Sequence, residues 1–211
     1  MSKNTNSNHF IYEKTRDGEA VYDVYSRLAK DRIVFLIDEV DVDSATTLCA
    51  TLLYLDSQSH TKPINLYINS SGGDIHSGLF TIYDTMNYIS APVHTVCIGE
   101  AYSAASMILS AGEKGQRVAF PNSHIMIHEV QVINNKMQSA TDNIKTALEI
   151  DRLNKKLINL IAEHSGQSVE KVTNLVKETT FFTPEEAVEF GLIDRIVDKA
   201  NQSTVRRKSK N

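Results

Sequence analysis

Three short apolar runs, each followed by a stretch with helical character, constrain this chain more than any other feature. Arg32 to Ile37 (Arg-Ile-Val-Phe-Leu-Ile), Ile64 to Ile68 behind Pro63, and Val93 to Ile98 behind Pro92 have strand length and strand composition. Between them, Asp43 or Ser44 is placed to cap a helix running through Thr46 to Leu55, and a second helix fits Ser77 to Tyr88. A third helix is expected at or just after Ser103, followed by a strand around Arg117 to Phe120. Strand–helix–strand–helix order predicts an α/β fold with right-handed crossovers.

The segment from Thr141 to His164 differs in kind. Ile150, Leu153, Leu157, Leu160 and Ile161 recur at helical spacing, giving one long amphipathic helix that ends near Gly166, with Asp151 and Lys155 able to pair on its wet side. A helix this long either caps the core or projects to a partner, and the pattern supports both. A shorter helix over Val169–Lys177 leads to Thr179-Thr180-Phe181-Phe182-Thr183, after which Pro184 opens a helix over Glu185–Phe190. Residues 1–18, ending at the turn Arg16-Asp17-Gly18, are expected to be a flexible segment, 19–198 a single domain, and the basic tail 199–211 disordered.

Composition excludes several functions. A chain of 211 residues suits one large domain, and a net charge of -4 with both signs mixed argues against a dedicated binder of nucleic acid or anionic membrane. Met1 to Asn8 is polar, so no secretory signal is expected, and no run approaches the roughly 18 apolar residues of a membrane span. Cys49 and Cys97 fall in apolar settings and read as free, reduced thiols, which suits a cytoplasmic location. There is no CxxC or HExxH spacing, so neither a metal nor another cofactor is expected.

The chemistry is carried by three words: Ile68-Asn69-Ser70-Ser71-Gly72-Gly73, Gly99-Glu100-Ala101-Tyr102-Ser103-Ala104-Ala105-Ser106, and Pro121-Asn122-Ser123-His124-Ile125-Met126-Ile127-His128. A serine hydroxyl is a poor nucleophile until a base takes its proton. Ser103 follows a strand, where a turn into a helix exposes its Oγ, and Ala101, Ala104 and Ala105 leave room for a substrate backbone. The flanking Tyr102 and Ala104 distinguish this word from the G-x-S-x-G elbow. His128, at the end of an apolar run, is the candidate general base, although a histidine there is often just a hydrogen-bonded core residue, as a serine at a helix start is often just a cap. The Gly72-Gly73 turn lets Gly73 offer a backbone N–H to an oxyanion, with the N–H of Ala104 as second donor. The following Lys-Ser/Thr of a phosphate loop is missing.

Taken together and in order, these words give a resemblance to the ClpP family, the proteolytic subunits of Clp proteases. It runs from Tyr22-Asp23-Val24-Tyr25-Ser26-Arg27-Leu28 to Gly191-Leu192-Ile193-Asp194, through Tyr67-Ile68-Asn69-Ser70, Ile82-Tyr83-Asp84-Thr85-Met86, Ala111-Gly112-Glu113-Lys114-Gly115 and Glu186-Ala187-Val188-Glu189-Phe190-Gly191. The resemblance implies a crotonase-like ββα-superhelix core with a protruding handle helix (about 141–164) that interlocks two heptameric rings. It also implies a hexameric AAA+ unfoldase that feeds polypeptide substrates through an axial gate formed partly by the N-terminus. Ser103 would be the nucleophile, His128 the base, and Gly73 with Ala104 the oxyanion hole. Substrate would add as a strand beside the backbone after Gly73 and after His128.

The chain departs from the family at the third triad position. Anchored on Phe181, Glu186-Ala187 and Gly191-Leu192, the family's aspartate falls on Thr179. Glu178 is its neighbour, and Asp142, at the start of the handle, is the other candidate support for His128. The family's His-Gln-Pro becomes His128-Glu129-Val130, its proline after Ser70 becomes Ser71, and its glycine-rich loop becomes Gln131-Val132-Ile133-Asn134-Asn135-Lys136. The leading expectation is a serine endopeptidase of a self-compartmentalised protease. The alternative is a weakly active or structural ring subunit mixed with an active paralogue. An acyl-CoA enzyme of the same superfamily would leave the Ser103–His128 pairing without a reason.

Overall fold

The computed structural model describes residues 10–15, 18–131 and 139–197. The basic tail 199–211, the first nine residues and the loop 132–138 lie outside the described residues. No described helix is long and apolar enough to cross a membrane.

The core sheet runs β3 (Ile33–Val40), β4 (Ile64–Gly73), β5 (Val93–Tyr102), β6 (Val118–Ala119) and β9 (Arg195–Ile196), all parallel. In β4, Ile64, Leu66, Ile68 and Ser70 alternate inward, the period-2 pattern of a strand with one face on the core. Two further strands, β7 (His124–Ile127) and β8 (Thr180–Phe182), sit to the side: β7 runs parallel to the end of β5, and β8 pairs antiparallel with β7. The sequence periodicity gave no strand at β7, β8 or β9, which are too short to display one. The α1 helix (Val24–Lys30) and the β1–β2 hairpin (Phe10–Thr15 with Gly18–Asp23) were not anticipated either. Residues 10–15, expected to be flexible, are thus paired along their length.

Helix α2 spans Val42–Gln58, longer than the expected Thr46–Leu55, because its cap is Asp41 rather than Asp43 or Ser44. The Asp41 carboxylate accepts from the Ser44 N–H at 2.8 Å while Ser44 Oγ accepts from the Asp41 N–H at 2.9 Å, a reciprocal capping box. The second expected helix divides into a wide π-type segment, Ile75–Phe80, capped by Asp74, and α3 (Thr81–Tyr88). The third, α4 (Ala104–Ser110), begins one residue after Ser103 and is buried along its length.

Helix α5, Ala140–Ser165, stops at Gly166 in the left-handed conformation, as the sequence indicates. It both packs and projects. Leu153, Ile158, Ile161 and Ala162 are buried, whereas Ile144 and Leu148 near its start are 63% and 64% exposed. The remaining helices, α6 (Val169–Val176) and α7 (Pro184–Phe190), close the domain beside α5 and β8.

Arg117 fastens three of these elements. It is 4% exposed, forks onto both oxygens of Asp194 at 2.7 and 3.0 Å, and donates to the carbonyls of Ser110 and His164. Burial pushes the Asp194 carboxyl up, but the Arg117 hydrogen bonds and charge outweigh it and hold the group below its usual range. Arg117→Ala is therefore expected to destabilise the domain by about 1.5–3 kcal/mol in denaturant unfolding, because it removes the charged hydrogen bonds to the part-buried Asp194 carboxylate, which keeps only the backbone N–H donors of residues 115 and 117. The Asp194 contribution is complete above its unfolded pKa of about 4 and is lost as pH falls through its lower folded value. Asp194→Asn should accordingly flatten the acid side of the stability profile.

Candidate active site

Ser103 sits where β5 hands over to α4, in a backbone conformation that side chains rarely adopt, φ 52° and ψ −121°. Its hydroxyl makes no capping bond to the helix, so the role commonest for a serine at this place does not apply. The neighbours hold the turn. The Ser103 N–H donates to the Met126 carbonyl of β7 at 2.9 Å, and its carbonyl accepts from the Ser106 and Met107 N–H groups and from Ser106 Oγ at 2.6 Å. Ser106 thus braces the turn instead of competing as nucleophile.

Gly72 makes room for that turn. A Cβ there would lie 2.6 Å from the Tyr102 carbonyl oxygen and 2.7 Å from Ser103 Cβ, and its φ of 92° already favours glycine. At Gly73 a Cβ would lie 2.3 Å from the Val40 carbonyl oxygen, because β3 and β4 run together to their ends. The sequence words place the oxyanion donor at Gly73; that Gly72 is the spacer beside Ser103 emerges only from the packing. Ala104 supplies the first N–H of α4, which has no partner within the helix.

His128 directly follows β7. The next two residues are anchored: the Glu129 N–H donates to the Val176 carbonyl at 3.1 Å and the Val130 N–H to Asn154 Oδ1 of α5 at 2.8 Å. The ring is half-buried and has no hydrogen-bond partner among the described residues. Burial lowers its pKa from the ordinary imidazole value, which keeps it neutral and able to accept a proton. Ser103, His128, Gly73 and Ala104 all open onto one cavity of about 360 Å³. No hydrogen bond joins Ser103 Oγ to the His128 ring among the described residues; such bonds are often loose in the absence of substrate.

The candidate third positions are less closely drawn in. The β7–β8 register ends at Ile127↔Thr180, which leaves Thr179 one step further, across from His128. Thr179 is exposed and makes no side-chain hydrogen bond, and it does not line the cavity. Glu178 is exposed, with its backbone carbonyl accepting from Thr180 Oγ1 at 3.3 Å. Asp142 accepts the Ser139 hydroxyl at 2.7 Å in the first turn of α5 and so serves the helix cap.

The cavity has further walls that sequence reasoning did not assign to a site. Ile75, Met107, Leu157 and Ile161 contribute apolar lining, and Glu39 and Glu129 are its two acidic lining residues. Leu157 and Ile161 belong to the apolar stripe of the long helix, but the stripe says nothing about which residues meet a cleft. Glu39 reaches it only through the β3–β4 register, in which it opposes Gly72.

The class these features define is that of α/β proteins in which a serine, a histidine and two backbone N–H groups share one cleft. More particularly, a family-level sequence comparison matches residues 16–200 to the family described as Clp protease. The chain belongs to that family and is a ClpP-like protease.

Gly72→Ala should slow fluorophosphonate labelling by about 10²-fold, the scale of effect that follows from roughly 1 Å of misplacement at a reacting group. The measurement is the labelling rate, compared with a thermal melt of the same protein to separate local displacement from unfolding.

Proposed function

We propose that the chain is a serine endopeptidase in which Ser103 Oγ attacks the scissile carbonyl and His128 takes its proton. The observation that carries this reading is a strained serine, its hydroxyl unused by the helix, sharing a cavity with a half-buried imidazole. Attack breaks the carbonyl π bond and places charge on oxygen, where the N–H groups of Gly73 and Ala104 are the proposed donors. The imidazolium then protonates the leaving amine as the C–N bond breaks, leaving an ester on Ser103 that water hydrolyses by the same route in reverse.

Thr179 takes the place of the family acid in this scheme. Its Oγ1 can accept from Nδ1–H and fix the tautomer, but it brings no charge to the imidazolium. In serine triads, removing that charge while keeping the geometry costs about 10⁴ in turnover. We therefore propose a slow or partner-dependent peptidase, working in two stacked heptameric rings in the cytoplasm with a hexameric AAA+ unfoldase. The exposed Ile144 and Leu148 on the projecting half of α5 are consistent with a handle that packs against another subunit. The second reading, a structural subunit of a mixed ring with an active paralogue, is favoured by one observation: the His128 ring has no carboxylate partner among the described residues.

Ser103→Ala is expected to abolish cleavage of a small fluorogenic peptide, and retained cleavage would reject the nucleophile. Thr179→Asp is expected to raise turnover by about tenfold or more, a fraction of what the charge is worth in a complete triad. The lowered His128 pKa sets the sign of the pH dependence. Since the neutral ring is the active form, labelling at Ser103 should rise with pH through a midpoint below about 6.5 and level off above it.

A further inference from the structure

Two acidic residues, Glu39 and Glu129, are among those lining the cleft, and they come from different elements. Glu39 comes from the end of β3, opposite Gly72 in the ladder, and Glu129 follows His128, its backbone tied to Val176. Both side chains are exposed, and neither has an ion-pair or hydrogen-bond partner among the described residues. Among the described residues lining the cavity none is lysine or arginine, and Gln131 is the next polar group along the His128 wall.

We propose, building on the reading of Ser103 as nucleophile, that Glu39 and Glu129 make this cleft selective for polypeptides carrying lysine or arginine beside the scissile bond. A residue adjacent to that bond must place its side chain in the cavity that holds Ser103. There it meets Ile75, Met107, Leu157 and Ile161 along its length and a carboxylate at its tip. A lysine or arginine satisfies both, laying its aliphatic stem on the apolar wall with its charged end in solvent near Glu39 or Glu129. An aspartate or glutamate finds like charge at Glu39 and Glu129 and no cation among the described lining residues to offset it.

The test uses the full chain as assembled and three fluorogenic peptides differing only in the residue before the scissile bond: lysine, leucine or glutamate. Kinetic constants are measured at low and high ionic strength, for the wild type and for Glu39→Gln and Glu129→Gln. Exposed charge pairs change an equilibrium by about 1.5- to 5-fold each, so the lysine-to-glutamate ratio of kcat/KM should reach about tenfold at low salt. The ratio should shrink at high salt as the charges are screened. Each Gln variant should lower it by a few-fold, with Glu129→Lys lowering it further, an effect of substrate charge that a merely structural role would not produce. Equal rates on the lysine and glutamate peptides, or a ratio unchanged in both Gln variants, would overturn charge selection while leaving Ser103 as the nucleophile. No cleavage of any peptide, with no fluorophosphonate adduct on Ser103, would overturn the catalytic reading and this inference with it.

Discussion

The structure depends on a fork in β5. Its first half pairs with β6 through Val96 and Cys97, and its last residues, Glu100 to Tyr102, pair instead with β7. Gly99 lies between the two, at φ 79°, where a Cβ would come within 2.5 Å of Asn69 Oδ1; that same oxygen accepts the Glu100 N–H at 3.2 Å. The turn that carries the chain from β6 to β7 is pinned by the Cys97 carbonyl, which accepts from the Phe120 N–H and from the buried Ser123 hydroxyl, each at 3.0 Å. One strand thereby acquires two successive partners. The second of them delivers His128 to the side of Ser103.

Strain and support are concentrated at the same place. Ser103 is held at positive φ by bonds on both sides of its peptide and by the absence of a side chain at Gly72, and a conformation costing about 1–3 kcal/mol persists because its surroundings over-determine it. Seven buried residues of α4 fix the far side of the turn. The freed hydroxyl is the consequence. A serine in ordinary helical or extended backbone would spend its Oγ on a neighbouring backbone group, as Ser44, Ser110 and Ser165 do.

The electrostatics of the cleft follow from what surrounds the imidazole. Desolvation alone lowers the His128 pKa, with no carboxylate to raise it, so the ring is suited to accept a proton and poorly supported once it holds one. In the proposed reaction, such a site leans on backbone donors and positioning more than on a charged relay. The acidic residues that do line the cleft, Glu39 and Glu129, are the ones proposed to act on the substrate.

Much of this was legible in the sequence, and what was not shares a common cause. Local chemistry declared itself: Pro63, Pro92 and Pro184 mark element starts, Gly166 ends the long helix, and the words around Ser103 and His128 mark a candidate nucleophile and base by type. Strand alternation and helical stripes located the parallel core and α5 because both are repeated patterns within one segment. The hairpin at residues 10–23, the short strands β7, β8 and β9, and the Asp41 cap of α2 escaped because they are too short for periodicity or rest on one unusual local bond. Only the tertiary structure decided that Gly72 makes room for the Ser103 turn, that Leu157 and Ile161 of a distant helix wall the cleft, and that Glu39 and Glu129 line it together. Those relations join residues far apart in the chain through strand register and packing, and no spacing along a single segment encodes the distance between two of them.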